Sequence, residues 1–328
     1  MLFSVIIPTY NPKKYISTML NSIINNECIN DIEIIISDDC SDEPFDEVLE
    51  NYKDYNIRVI KNDMRMGFPR LGRQNGLNAA NGTWVTFADQ DDYYIEGSFD
   101  KVKAFIEEKD AHNYIISDFI SYDLLSGSQK LVDGNKAWTH GKFYEKQFLT
   151  NNEIFYDDVQ YNEDVNFSSK VACVLIDKGI VEQKIDDVLY VWCRTGESLC
   201  TVDYFRRSIG DHAKATLGVI IKYIDKYRDN QELLGHYCIR FIHGLFHEYF
   251  AMQSILLNHD PQLTINAYKG IKPFYIQFKI LTKLDAASIN DLVQSDLLDM
   301  YNQTRVEDNE QFRLFEQISF KDWLYNLE

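Results

Sequence analysis

The chain has 328 residues, 45% hydrophobic and 14% aromatic, which suffices for a large packed interior and excludes extensive disorder. Its 51 acidic residues outnumber its 33 lysines and arginines, giving a net charge of −18. Most of this excess lies in residues 1–200, and it disfavours non-specific binding to nucleic acids or anionic membrane surfaces.

The sequence contains no apolar stretch long enough to span a bilayer. The amino-terminal residues run straight into a strand pattern without a charged leader. We therefore expect a soluble, cytoplasmic protein without a transmembrane segment. The cysteines show no paired spacing, which predicts free thiols in a reducing compartment. They are Cys28, Cys40, Cys173, Cys193, Cys200 and Cys238.

Strand and helix patterns alternate along the first two hundred residues. The strands are predicted at 3–7, 32–36, 57–60, 84–88, 114–117 and 187–194. The helices are predicted at 15–24, 45–52, 70–80 and 99–108, and a polar loop at 121–137. Such alternation at short spacing predicts an α/β fold, a Rossmann-like and mainly parallel sheet with helices on both faces.

The pattern changes after residue 200, where long helical repeats dominate. These helices are predicted at 204–227, 232–257, 273–284, 289–301 and 309–325. We therefore divide the chain into an α/β domain, residues 1–200, and a helical domain, residues 201–328. The helical domain is expected to bind an acceptor or to form a homo-oligomer.

Three carboxylates follow the strand at 84–88 directly: Asp89, Asp91 and Asp92. The carboxyl ends of parallel strands are where open α/β sheets bind ligands. Clustered carboxylates suit Mg²⁺ or Mn²⁺, ions that also hold substrate diphosphates. The cluster thus indicates a nucleotide-using enzyme, although an isolated cluster of this kind is equally typical of a solvated acidic turn.

Polar residues also follow the first two strands. Pro8, Thr9 and Tyr10 come after the first, and Asp38 and Asp39 after the second. A uracil-like base needs a ring to stack on and an acceptor for its N3–H, which Tyr10 and Asp39 can supply. Taken separately, each loop is also a typical turn with a capping role.

Four segments, taken in order, resemble the glycosyltransferases of family 2, which have the GT-A fold. They are Ser4 to Asn11 (SVIIPTYN), Ile36 to Asp42 (ISDDCSD), Gly67 to Gly76 with its RQNG ending, and Phe87 to Asp92 (FADQDD). The resemblance covers about the first hundred residues. It implies a nucleotide-diphospho-sugar donor, usually UDP-linked, a divalent metal at the D-x-D acids, and inversion at the anomeric carbon.

The resemblance assigns the donor side by position. Thr9, Tyr10 and Asp39 would face the base, with Asp38 nearby and Pro8 also on the donor side. Arg73 and Asn75 match the family's R-N pair, which is usually adjacent but is interrupted here by Gln74, and Arg70 is a substitute for the donor contact. Asp89 and Asp91 match the D-x-D spacing, and we favour Asp91 and Asp92 as the residues nearest the metal.

The segment Tyr161 to Val165 (YNEDV) resembles the family's E-D motif, whose aspartate acts as catalytic base. The attack requires a base, since the acceptor hydroxyl must lose its proton as it reaches the anomeric carbon. We assign that role to Asp164, with Glu163 orienting it or binding acceptor. The alternative is an acidic first turn of a helix over 165–174, favoured by the helix dipole.

The remaining site candidates rest on position relative to these motifs. Arg194, with Ser198, would close over the leaving diphosphate, or Arg194 is an ordinary surface residue. Trp138 and His140 lie where the family places its acceptor-side segment, and an ordinary core role suits both equally well. His140 is also a conceivable third metal ligand, which spacing does not support.

We favour a metal-dependent inverting transferase acting on a glycan or cell-surface polymer. A modified DNA base or a polyol-phosphate polymer is the alternative acceptor, and either would need a basic patch from Lys142, Lys146, Arg206 and Arg207. A non-catalytic sugar- or partner-binding module is the alternative of another class. A nucleotidyltransferase would share the metal and nucleotide but leaves the E-D motif unexplained.

Overall fold

The structure is a computed structural model that describes residues 1–136, 138–159, 162–195, 217–223, 230, 233, 241–242, 245, 261–291, 324–325 and 327. Two compact units make up the chain. The first comprises residues 1–175 and 180–198, and the second comprises 176–179 and 199–328. The motifs considered above all fall in the first unit.

The described strands form one nine-stranded sheet. They are β1 Phe3–Thr9, β2 Ile32–Asp38, β3 Ile57–Lys61, β4 Trp84–Phe87, β5 Tyr93–Tyr94, β6 Tyr114–Asp123, β7 Gln129–Val132, β8 Lys142–Glu145 and β9 Gln183–Arg194. Their order is β3-β2-β1-β4-β8-β6-β9-β5, with β7 paired to β6.

The helices of the first unit are α1 Ile16–Ile24, α2 Asp46–Leu49, α3 Pro69–Ala79, α4 Ser98–Lys109, α5 Lys146–Asn151 and α6 Glu163–Lys178. Helix α7, Pro261–Thr282, belongs to the second unit. Most of the other helices predicted after residue 200 lie outside the described residues. Among the helices that the structure describes, none has the length and hydropathy required to cross a membrane.

The sheet is parallel in its first half and mixed in its second. Strand β1 pairs in parallel with β2 and β4, as the alternating pattern predicts. Beyond β4, strand β8 runs antiparallel to both β4 and β6. Sequence patterns missed β7 because three of its four residues are exposed, and missed β8 because it opens on a lysine, an untypical residue for a buried strand.

Hydrophobic residues cover both faces of the sheet. Val5 and Ile7 belong to one core cluster, and Ile6, between them, belongs to the other. All seven residues of β1 are buried, as are all seven of β2. Continuous apolar runs are typical of strands that have helices on both sides, so this part of the fold was readable from sequence.

Helix α3 approaches β1 closely through two glycines. A Cβ at Gly72 would lie 2.9 Å from Pro8 Cβ, and one at Gly76 would clash with the side chain of Ile6. The small residues let the helix backbone lie directly on the strand. Arg73, between these glycines in sequence, is thereby carried to the carboxyl end of the sheet.

Candidate functional site

Arg73 joins the two acidic motifs of the sequence. Its Nη2 lies 2.6 Å from Asp89 Oδ1, after β4, and its Nη1 lies 2.5 Å from Glu163 Oε1, at the start of α6. Arg73 is buried, and its pair with Glu163 is shielded from water, whereas the Asp89 side chain is 31% exposed. Charge-assisted pairs of this kind are strong and directional. One guanidinium therefore fixes the D-x-D turn against the E-D turn.

The three carboxylates after β4 have different environments. Burial would raise the pKa of Asp89, but Arg73 overcomes this and lowers it. Burial and the charge of Asp89 raise the pKa of Asp91 to about 6. Asp92 is 1% exposed and accepts hydrogen bonds from Tyr190 Oη at 2.6 Å and Cys193 N at 2.7 Å. Burial raises the pKa of Asp92 well above its ordinary value.

His140 lies beside these acids, between two aromatic rings. Its imidazole stacks on Tyr190 at 5.3 Å and on Trp192 at 5.8 Å between centroids. Its Nδ1 is buried without a hydrogen-bond partner, 3.9 Å from Asp92 Oδ2. Burial lowers the pKa of His140 to about 4, so the ring is neutral at neutral pH. Neutral imidazole is the form that binds metals.

The donor atoms of Asp89, Asp92 and His140 fit a divalent metal. One potential ligand atom from each residue lies within 4.8 Å of the others. Two carboxylates and an imidazole suit Mn²⁺ or a similar ion, and the unpartnered Nδ1 is consistent with a ligand role. The sequence favoured Asp91 with Asp92, whereas the structure groups Asp92 with Asp89 and His140 and leaves Asp91 half-buried outside this group.

Glu163 and Asp164 occupy the first turn of α6, which begins two residues before the predicted helix. Asn162 precedes them with a positive φ of 57°, so the chain turns sharply into the helix. Burial raises the pKa of Glu163 to about 7 and also raises the pKa of Asp164. A carboxylate with a raised pKa is a stronger proton acceptor. The position also suits the helix dipole, the alternative given above.

The loop after β1 is tied to the acid cluster by a side chain that sequence reasoning missed. Gln90 accepts a hydrogen bond from Tyr10 N at 2.9 Å and donates one to Tyr10 O at 3.1 Å. These two hydrogen bonds between the Gln90 side-chain amide and the Tyr10 backbone fix the middle residue of the D-x-D motif. The only signal in the sequence was a glutamine, rather than an apolar residue, at that position.

Asp38 and Asp39 organise the loop after β2. Asp38 accepts hydrogen bonds from the Ser41 amide and hydroxyl. Asp39 is 8% exposed and accepts from Gly67 N at 2.7 Å and Asn62 Nδ2 at 3.0 Å. Asn75, assigned to the donor by resemblance, donates to Asn62 Oδ1 at 2.8 Å. It is thus linked to the Asp39 network.

The other donor-side residues lie close to the same loop. Tyr10 donates its hydroxyl proton to Asp42, and the Arg65 guanidinium lies 3.8 Å from the centre of its ring. Thr9 is buried, and its hydroxyl contacts Ser37 O at 3.4 Å. Pro8 packs where Gly72 of α3 passes. Arg65 was not identified from sequence, because an isolated arginine in a loop carries no pattern.

The two remaining arginine candidates pair with other acids, and Trp138 packs beside His140. Arg70 pairs with Asp158, and Arg194 is exposed and pairs with Asp123 at 3.3 Å. Trp138 is half-buried and packs against Trp192 at 5.3 Å between centroids. Ser198 lies outside the described residues.

Part of the basic patch considered for a polyanionic acceptor is buried. Lys142 has no exposed surface, and its Nζ donates to Trp138 O, whereas Lys146 Nζ donates to Ala80 O. A fully buried lysine cannot contact a polymer, so Lys142 is removed from that patch. Arg206 and Arg207 lie outside the described residues.

Parts of the chain are similar in sequence to known proteins. The family model "Glycosyl transferase family 2" matches residues 4–160. The poly(ribitol-phosphate) beta-N-acetylglucosaminyltransferase TarS of Staphylococcus aureus is 36% identical over 110 residues, which are 33% of this chain and 19% of TarS. The chain thus matches about a fifth of the length of that relative. Glycosyltransferase GlyG of Streptococcus pneumoniae is 25% identical over 275 residues, covering 72% of this chain and 90% of GlyG.

Solved structures share the fold over nearly the whole chain. The crystal structure of S. aureus TarS residues 1–349 in complex with UDP has a TM-score of 0.65 and 20% identity, covering 99% of this chain and 91% of that one. At this identity the likeness establishes the fold. The ordered motifs and the shared fold agree with the family model, so residues 4–160 are a domain of the kind that the family 2 glycosyltransferase model describes.

Proposed function

We propose that this protein is a metal-dependent, inverting glycosyltransferase that moves a sugar from a UDP-linked donor to a hydroxyl of a glycan or cell-surface polymer. The contact of Arg73 with both Asp89 and Glu163 carries the proposal. It brings the acids suited to a donor diphosphate and the turn that bears Asp164 into one site. A nucleotidyltransferase or a simple binding module has no need for that second acidic turn.

The nucleotide is proposed to bind over the loops after β1 and β2. TarS has been crystallised with UDP and with UDP-GlcNAc, which supports a UDP-sugar donor. Tyr10 would stack on the base, and Asp38 and Asp39 shape the neighbouring loop through the bonds described above. Gln90 holds Tyr10 in register with the acid cluster.

Asp89, Asp92 and His140 are proposed to hold a divalent ion, with Asp91 beside them. When bound, Mg²⁺ or Mn²⁺ supplies positive charge that neutralises the leaving diphosphate. Arg73 contributes a different effect, because it lowers the pKa of the half-buried Asp89 and so keeps that carboxylate ionised. The Tyr190 hydroxyl and Cys193 amide hold the Asp92 carboxylate in a fixed orientation.

Asp164 is proposed to be the general base. It takes the proton from the acceptor hydroxyl as the acceptor oxygen bonds to the anomeric carbon. The bond from that carbon to the diphosphate oxygen breaks, its electron pair leaves with UDP, and the configuration inverts. Glu163, held by Arg73, orients the turn.

The acceptor is proposed to approach the side that carries Trp138 and His140. Trp138 is half-buried and so retains part of a ring on which a sugar can stack. Arg194 stays a candidate for closure over the diphosphate, since it is exposed. The second unit is proposed to bind acceptor or a second copy of the chain, and we place the enzyme in the cytoplasm.

A polyol-phosphate polymer is the second candidate acceptor. It is favoured by the 36% identity to TarS, whose name specifies poly(ribitol phosphate) as its acceptor. The burial of Lys142 removes one cation from the patch proposed for such a polymer. A modified DNA base has no comparable support.

A direct assay tests the proposal. Purified protein with Mn²⁺ and labelled UDP-sugars should transfer label to one member of a panel of wall glycans, polyol-phosphate polymer and hydroxymethylated DNA. Asp164→Asn should bind UDP normally but lose transfer, whereas Asp186→Asn, an exposed aspartate on β9, should match the parent. Full transfer by Asp164→Asn would refute the assignment of Asp164 as the base. Failure to bind any UDP-sugar would refute the proposal that the protein is a UDP-sugar-dependent glycosyltransferase.

A further inference from the structure

A segment without helix or strand, residues 154–159, leads from α5 towards the turn that bears Asp164. We call it the strap. It carries two successive acids, Asp157 and Asp158, and an aromatic ring, Tyr156, that is 8% exposed. Loops of this kind are normally mobile unless side chains from other elements hold them. Here two helices do so.

Helix α6 holds the strap through a buried lysine. Lys170 has no exposed surface; its Nζ donates to Phe155 O at 2.7 Å and lies 2.5 Å from Asp157 Oδ1. A buried ammonium is tolerated only when it is well paired, so the contacts of Lys170 with Phe155 and Asp157 restrict where the strap can lie. The strap is therefore fixed along the same helix that begins with Glu163 and Asp164.

Helix α3 holds the strap from the other side. Gln74 Oε1 accepts a hydrogen bond from Tyr156 N at 2.8 Å, and Arg70 pairs with Asp158. Gln74 is the residue that interrupts the R-N pair of the sequence motif, and its Nε2 is held in turn by Asn78 at 2.8 Å. The interruption therefore has a structural role.

Aromatic packing completes the connection. The Tyr156 ring stacks on Phe167 of α6, with centroids 4.4 Å apart and planes 14° apart. It also meets Phe87, the last residue of β4, edge-on at 5.3 Å. The strap thus touches the strand that precedes Asp89 and the helix that carries Asp164.

We propose that Lys170, Gln74 and Arg70 are positioning residues that act through the strap to fix the first turn of α6, and with it Asp164, on helix α3. The inference rests on the proposed role of Asp164. Arg73 supplies one polar link between α3 and the first turn of α6, in addition to the core packing of the helix. The strap supplies further links, and misplacing a reacting group by about 1 Å can cost about 10²-fold in rate.

The test compares Lys170→Met and Asp157→Asn with the parent and with Lys178→Met, an exposed lysine at the other end of α6. Both strap variants should lower kcat at least about tenfold, while donor KM and UDP affinity change less than about twofold. The acid limb of the kcat profile should also move to lower pH, because a loosened turn admits water to Asp164. The double variant should lose little more than either single one.

Amide hydrogen exchange provides a readout that does not need activity. Residues 163–166 should exchange faster in Lys170→Met than in Lys178→Met. Unchanged exchange and an unchanged kcat would overturn the strap proposal even if Asp164→Asn is inactive. Inactivity of the parent enzyme with faster exchange in Lys170→Met would overturn the proposed function and leave the strap in place. If Lys170→Met does not fold, Gln74→Ala, at a half-buried site, replaces it in both measurements.

Discussion

Arg73 forms ion pairs with two acids of the site, a role that the sequence motif did not indicate. The family resemblance assigns it a donor contact, and its described partners are two carboxylates of the protein itself, Asp89 and Glu163. Its pKa stays well above the ordinary value because these acids outweigh the effect of burial. The residue therefore stabilises the site before any ligand arrives.

Replacing Arg73 should destabilise the fold as well as the site. Arg73→Met leaves the buried Glu163 and the half-buried Asp89 without their cation, so we expect a loss of about 3–5 kcal/mol in the free energy of unfolding. Urea denaturation measures this. Lys101→Met, which breaks the half-exposed pair with Asp187, is the control and should cost about 0–1 kcal/mol. Equal costs for the two variants would contradict a buried role for Arg73.

Protonation of Asp164 should limit the activity of the enzyme at low pH. Burial raises the pKa of Asp164 above its ordinary value of 3.8. A base works when deprotonated, so kcat/KM should be full above this raised pKa and fall as the pH decreases through it. The pH profile of kcat/KM measures the limb. If residual activity of Asp164→Asn shows the same limb, another group is responsible.

At the scale of elements, the position of α3 depends on two glycines, whose missing side chains leave room for the strand beneath the helix. Gly72 and Gly76 let the helix lie on β1, and this contact carries Arg70, Arg73 and Gln74 to the site. Helix periodicity predicted α3 well, since the observed Pro69–Ala79 differs from the expected 70–80 by one residue at each end. The reason for its glycines appears only when the strand beneath it is known.

Gly76→Ala should therefore be destabilising despite the higher helix propensity of alanine. The new methyl group would clash with the Ile6 side chain, and overpacking of this kind costs about 1–3 kcal/mol. Thermal or urea unfolding measures the change. In an Ile6→Ala background, the same substitution should cost clearly less, because the opposing atoms are gone. An equal cost in both backgrounds would show that the clash is not the cause.

Strands β7 and β8, which sequence reasoning missed, lack the patterns that mark a strand. Strand β7 is exposed and β8 opens on buried Lys142, so neither shows the alternation or apolar run that marks a strand. The motifs after β1, β2 and β4 were easier because they sit at strand ends, where chain direction alone brings them to one edge. The grouping of His140 with Asp89 and Asp92 was not predictable, since it depends on the stacking of the ring between Tyr190 and Trp192.

For the molecule as a whole, metal binding should appear as added stability. A ligand that binds only the folded state stabilises it by about 2.7 kcal/mol when present at 100 times its Kd. Mn²⁺ should therefore raise the Tm of the protein, and chelator should reverse the rise. His140→Gln should reduce the shift, whereas His112→Gln, at an exposed histidine, should not. An equal shift in both variants would remove His140 from the metal site.

The pairing of β5 with β9 sets the order in which the site can be assembled during folding. Tyr93 and Tyr94, next to Asp92, pair with Val191 and Tyr190, about a hundred residues later in the chain. Contacts between distant residues form slowly because a long loop must close first. A nascent chain that has emerged only as far as β8 would contain the loops after β1 and β2. It would lack Tyr190 and Cys193 of β9, which donate hydrogen bonds to Asp92. We therefore expect the proposed base site to be completed before the proposed metal site when the chain folds during translation.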